Sequence, residues 1–94
     1  MNNKRANLMD AVVVLHEHRI GFIVLRDEDG GFIVAELQSS DDIQRGDIIS
    51  GVFDVSQTQT FTNKANEDEV DLRVHGMGMT EEEAIKFIQD KTAS

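Results

Sequence analysis

Four residues of this chain are written twice, ten positions apart: Gly21-Phe22-Ile23-Val24 returns as Gly31-Phe32-Ile33-Val34. Between the copies stands Asp27-Glu28-Asp29-Gly30, and the paired glycines Gly30 and Gly31 tolerate the positive φ of a tight turn. β-branched and aromatic blocks on either side of such a turn predict an antiparallel hairpin, residues 21–26 against 31–37. The echo is too short to imply a repeat architecture. Two similar strands of one hairpin account for it.

The rest of the chain offers more strands. Ala11-Val12-Val13-Val14-Leu15 is short, β-branched and apolar on both faces, which predicts a strand. Ile48 to Phe53 predicts another, with Gly51 marking a bulge or sharp bend. Thr58-Gln59-Thr60-Phe61-Thr62 sets one large apolar residue among threonines and reads as a weaker edge strand. Val70-Asp71-Leu72-Arg73-Val74-His75 alternates cleanly, so Val70, Leu72 and Val74 should face the core and Asp71, Arg73 and His75 the outside. Residues 38–47 form a polar connection holding Ile43, and residues 63–69 read as an acidic loop.

The strongest local signal closes the chain. Thr80-Glu81-Glu82-Glu83 is a capping box, in which the Thr80 hydroxyl accepts the Glu83 amide and the Glu83 carboxylate accepts the Thr80 amide. Three glutamates in the first turn suit the positive end of the helix dipole, and Lys91 suits the other end. Ala84, Ile85 and Ile88, with Phe87 beside them, make one apolar stripe on a helix at about 81–91. So short a helix must dock on the sheet. Met77 and Met79 just before it read as packing at the strand–helix joint.

Ninety-four residues suit one domain, expected over 10–94, with residues 1–9 as a polar, mobile arm. With no cysteine, disulfides, thiolate metal sites and cysteine nucleophiles are excluded. The basic opening Met1-Asn2-Asn3-Lys4-Arg5 is followed by only five apolar residues, with Asp10 directly before them, so a signal peptide is not expected. No stretch approaches the ~20 apolar residues of a membrane span. The expected setting is therefore cytoplasmic, without membrane partners. A net charge of −9 repels nucleic-acid phosphate and acidic membranes.

Five or six short antiparallel strands and one C-terminal helix predict a mainly β fold, a small and partly open barrel. Within it, Ile43-Gln44-Arg45-Gly46-Asp47-Ile48-Ile49-Ser50-Gly51 resembles the I-x-x-G-D-x-I-x-G corner of OB-fold and S1-like barrels. The resemblance covers about a tenth of the chain. It implies an architecture in which glycines let a strand bend across the barrel, and it carries no site residues.

Three constellations could carry chemistry. His16 and His18, two apart, share one face of a strand, the geometry of two metal ligands; His75 could be a third, with Glu36 or Glu17 adding oxygen. Arg19, Arg26, Arg45 and Arg73, with Phe22, Phe32 or Phe53 for stacking, are what an OB-like single-strand nucleic-acid binder would use. The acidic run Asn66 to Asp71 could receive a basic partner or be a solvated loop. Asp27-Glu28-Asp29-Gly30 lacks the later ligands of a calcium loop and reads as a turn. Arg45-Gly46-Asp47 spells an adhesion tripeptide, but is ordinary turn chemistry before a strand. No nucleophile elbow, P-loop, dinucleotide glycine pattern or H-E-x-x-H is present. The chain is therefore expected to be a non-catalytic binding or assembly module without a cofactor. It would act on a protein partner, or on itself by pairing the Thr58–Thr62 edge, with nucleic-acid or histidine–metal binding as alternatives.

Overall fold

The computed structural model describes residues 8–39, 42–55 and 57–93. The repeated segments pair as their spacing requires. Strands β2 (Phe22–Asp27) and β3 (Phe32–Leu37) run antiparallel, with Val24 opposite Val34 and Ile23 opposite Ala35. The Asp27 carboxylate accepts the amides of Asp29 and Gly31, both at 2.9 Å, and Gly30 turns the chain with φ +89°. The acidic fragment is thus a turn whose first side chain satisfies its own backbone.

Four more strands complete the sheet: β1 (Met9–Glu17), β4 (Ile48–Gly51), β5 (Thr58–Asn63) and β6 (Asp68–Met79). Their order is β1-β2-β3-β6-β5-β4, and β4 pairs back onto β1, so the barrel closes with every neighbouring pair antiparallel. Helix α1 (Glu81–Ala93) follows at once. Its capping box is formed: Glu83 N donates to Thr80 Oγ1 at 3.1 Å, and Thr80 N to Glu83 Oε1 at 2.9 Å.

Strand alternation divides the apolar residues into two layers. Val13, Ile23, Leu25, Ile33, Ile49, Phe61, Val70, Leu72 and Val74 point into the barrel and fill it. Full burial of each such side chain stabilises the fold by roughly 1.5–3 kcal/mol. Phe22, Val24 and Val34 point outward and lie beneath Ala84 and Ile88 of α1, with Met79 and Phe87 packed around them. This explains why β2 and β3 read as unbroken apolar runs. The helix-covered strands need apolar side chains on both faces.

The 43–51 corner shuts one end. Ile43 is buried in the barrel core. Val13 N donates to Asp47 O at 2.9 Å and Gly46 N to Val13 O at 2.8 Å, extending the β1–β4 pairing into the corner. The Asp47 carboxylate accepts Gln44 N and the Nδ2 of buried Asn63, both at 2.9 Å.

Several expectations are corrected. The barrel is closed, not partly open, and β5 lies between β4 and β6, so Thr58–Thr62 is not an edge strand of an open sheet. β4 ends at Gly51, before Val52 and Phe53, although the Phe53 ring still packs on Phe61 with centroids 4.6 Å apart. Gly51 is a close approach: a Cβ there would stand 2.4 Å from Phe61 Cδ2. β6 takes in Asp68 and Glu69, assigned above to a loop, and continues through the Met77-Gly78-Met79 joint. The predicted arm falls mostly on residues 1–7, outside the described residues; Met9, its last member, already pairs with Gly51 in β1.

Candidate functional site

β1 opens the outer face of the barrel. Its pairing with β2 is regular up to Val13 opposite Leu25, then resumes one residue late with Leu15 opposite Val24. The extra residue is a bulge, and a bulge re-aims the side chains around it. Without it, Val14 and Leu15 would face opposite ways; here both join the outer apolar layer while Val13 stays inside. Two adjacent residues of β1 therefore become one apolar wall.

The other wall is the start of α1. Its capping box fixes where the helix begins, and Ala84 and Ile88 seat it on β2 and β3. Ile85, one residue round from Ala84, is left with 39% of its surface exposed. Between the walls runs a groove of about 540 Å³ lined by Val14, Leu15, Val24, Phe32, Ala84 and Ile85, with Arg26, Gly30 and Glu81 at its polar margin. It continues along the strands past Val12, Asp27 and Glu28, and along the helix past Glu82, Lys86 and Gln89. Val12 and its register partner Ile48, each 39% exposed, extend the apolar surface onto β4. Around this floor stand four carboxylates, Asp27, Glu28, Glu81 and Glu82, against two cations, Arg26 and Lys86.

Among the described residues, most of the backbone beneath the groove is already paired. β2 is paired on both sides, and β1 pairs with β2 and β4, with the 46–47 corner bonded at Val13. A guest here meets side chains and must bring its own satisfied backbone.

The structure separates the expected metal triad. The His16 and His18 rings stack with centroids 3.7 Å apart and planes 20° from parallel. His75 is elsewhere. It lies on the outer face against Phe22, at 5.1 Å between centroids, and its Nε2 donates to Glu36 Oε1 at 2.9 Å. His16 is opposite Ile23, and successive strand residues face opposite ways, so the stacked pair and His75 occupy opposite faces of the sheet. Glu17 is held by Arg19, with Nε 3.2 Å from Oε2. Among the described residues, no three His, Cys, Asp or Glu gather where a metal could sit.

The nucleic-acid set also fails to converge. Arg19 and Arg26 flank opposite ends of β2, and Arg73 stands opposite Glu36 on the outside. Arg45 lines the cleft beside His16 and His18. Phe22 is buried beneath α1, Phe53 is in the barrel core, and Phe32 is half-buried in the helix-covered layer. These rings pack the protein and leave no exposed stacking platform.

Two carboxyls are shifted. Asp10 lies below its ordinary range because it bonds first to the Ser50 side chain, then to Lys64, whose Nζ is 3.2 Å from Oδ2. These three residues tie β1, β4 and the end of β5 together at the seam that closes the barrel. Glu17 is lowered chiefly by its hydrogen bonds to Arg19.

Sequence reasoning missed the groove because a bulge is invisible in an all-apolar strand: Val12 to Leu15 reads the same with or without one. The available signal was Ile85, at the margin of the helical stripe. No described helix is long and apolar enough to cross a membrane. In comparison with known proteins, the chain matches no family model, no curated protein and no solved structure.

Proposed function

We propose that this protein is a non-catalytic docking module that holds an amphipathic helix of a partner protein in the groove between β1 and α1. The observation that carries this reading is the β1 bulge, which turns Val14 and Leu15 to the same outer face opposite the exposed Ile85. The barrel interior is packed with its own side chains, so the concave apolar surface lies outside. Pairing of β2 on both sides, and of β1 with β2 along its length, favours side-chain docking over an added strand. A helix satisfies its own backbone and presents apolar residues at i, i+3, i+4 and i+7, which suits a floor made by one strand and one helix. Carboxylates outnumber cations around the groove, and the chain carries −9 overall, so the partner helix should be basic on its flanks.

The test uses a labelled synthetic helix with leucine on one face and lysine on the other, titrated by fluorescence anisotropy. Wild-type protein should bind it saturably and lose affinity as salt screens the flanking charges. Ile85→Ser should weaken binding about tenfold, since a factor of ten is ~1.4 kcal/mol and the change removes most of the apolar side chain that Ile85 presents to the groove. A companion helix with glutamate in place of lysine should not bind. Equal affinity of wild type and Ile85→Ser, or preference for the acidic helix, would refute the reading.

A further inference from the structure

The cleft at the end of β1, which adjoins the docking groove at Leu15, holds the stacked histidines. His16 is the penultimate residue of β1, and His18 is the first residue after the strand. The His16 ring is half-buried, with Nδ1 2.8 Å from the carbonyl oxygen of Ile43. A carbonyl oxygen can only accept, so Nδ1 carries a hydrogen, and Nε2 is the nitrogen left to take an ion. This is the arrangement that orients metal-ligating histidines, in which a backbone carbonyl fixes the tautomer and ring while the other nitrogen faces the ion. The orienting group is rigid, because Ile43 is anchored in the barrel core.

We propose that His16 and His18 form a two-nitrogen site for a borderline divalent transition ion of the Cu²⁺, Ni²⁺ and Zn²⁺ class, with His16 Nε2 as its fixed ligand. An ion bound by two imidazoles must lie in the plane of both, so rings 20° from parallel and 3.7 Å apart cannot yet share one. Binding turns His18 out of the stack. The exposed His18 can make that turn: among the described residues, no hydrogen bond holds its ring. The remaining coordination positions go to water. Asp42 lines the same cleft but completes no three-ligand group, and Glu17 is engaged by Arg19. Arg45, also in the cleft, opposes a cation and keeps the site modest. Nitrogen donors select copper, nickel and zinc over magnesium and calcium, which prefer oxygen, and the order of affinity should place copper first. His75 takes no part, because it sits on the other face with Nε2 committed to Glu36.

The experiment is a Cu²⁺ titration of the full chain followed by electron paramagnetic resonance. One saturable site per chain is expected, with hyperfine splitting from two imidazole nitrogens. His18→Ala, at an exposed position, should leave the thermal melt unchanged, reduce the splitting to one nitrogen and weaken binding at least tenfold. His16→Ala should do the same to the spectrum, and His75→Ala should leave it as in wild type. A Zn²⁺ titration followed by amide NMR should move residues 15–19 and 42–45. The inference is overturned by failure to saturate, by a spectrum without two-nitrogen splitting, by full binding in His18→Ala, or by dependence on His75.

Discussion

Gly51 and Phe61 illustrate how tightly the barrel interior is filled. The Phe61 ring crosses directly over the Gly51 backbone, and a methyl group there would overlap Cδ2 at 2.4 Å. Phe61 is itself buried against Phe53 and cannot swing away. Gly51→Ala should therefore destabilise the protein by about 1–3 kcal/mol, read as a lower urea midpoint with little change in slope. Asp10 acts at the seam instead. Its folded-state pKa is depressed by Ser50 and Lys64, so the stabilisation it gives is present above the unfolded-state pKa and is lost as pH falls through the carboxylate range. Wild type should lose more Tm on acidification than Asp10→Asn, and the two melting curves should converge at low pH. Both partners of the ion pair are largely exposed, so the difference should be small. At this scale the sequence is a mixed guide. Inward Val70, Leu72 and Val74 are legible because alternation is a local property, whereas the separation of His75 from His16 is not. Which face His16 takes depends on a register shift two residues earlier, which no spacing rule encodes.

Elements were more legible than contacts. The hairpin, the final strand and the helix all follow from local chemistry: a glycine turn, a period of two and a capping box. Thr80→Ala removes the acceptor for Glu83 N and should cost about 1 kcal/mol. It should also speed amide exchange in the first turn of α1 beyond the change expected from global stability alone. The helix is also where local reading falls short. Its apolar residues form one stripe in the sequence, yet only Ala84 and Ile88 are buried while Ile85 is left exposed. The sheet beneath is curved, and a short helix laid on it can seat only the middle of its stripe. β5 shows the same limit. A threonine-rich strand with one phenylalanine looks like an edge because its outer face is wet, but its pairing is decided by the return of β4 to β1, far away in sequence.

For the whole molecule, closure and a filled interior put the concave surfaces on the outside. A closed barrel with a filled interior leaves its concavities where other elements lean on it, and α1 covers the outer face of β2 and β3 while leaving much of β1 open. The groove, its acidic margin and the exposed Val12–Ile48 pair follow from that single placement. Closure could not be read from the chain, since short connections serve an open sheet equally well. The proposed docking of a basic amphipathic helix uses the groove between β1 and α1. It is tested most directly by mapping amide and methyl NMR shifts of the labelled protein on addition of the leucine–lysine helix. Shifts gathered on Val12, Val14, Leu15, Arg26 and the first two turns of α1, and lost in Ile85→Ser, are the result expected. Shifts scattered over the acidic surface, or gathered on β5 and the far side of the barrel, would contradict it.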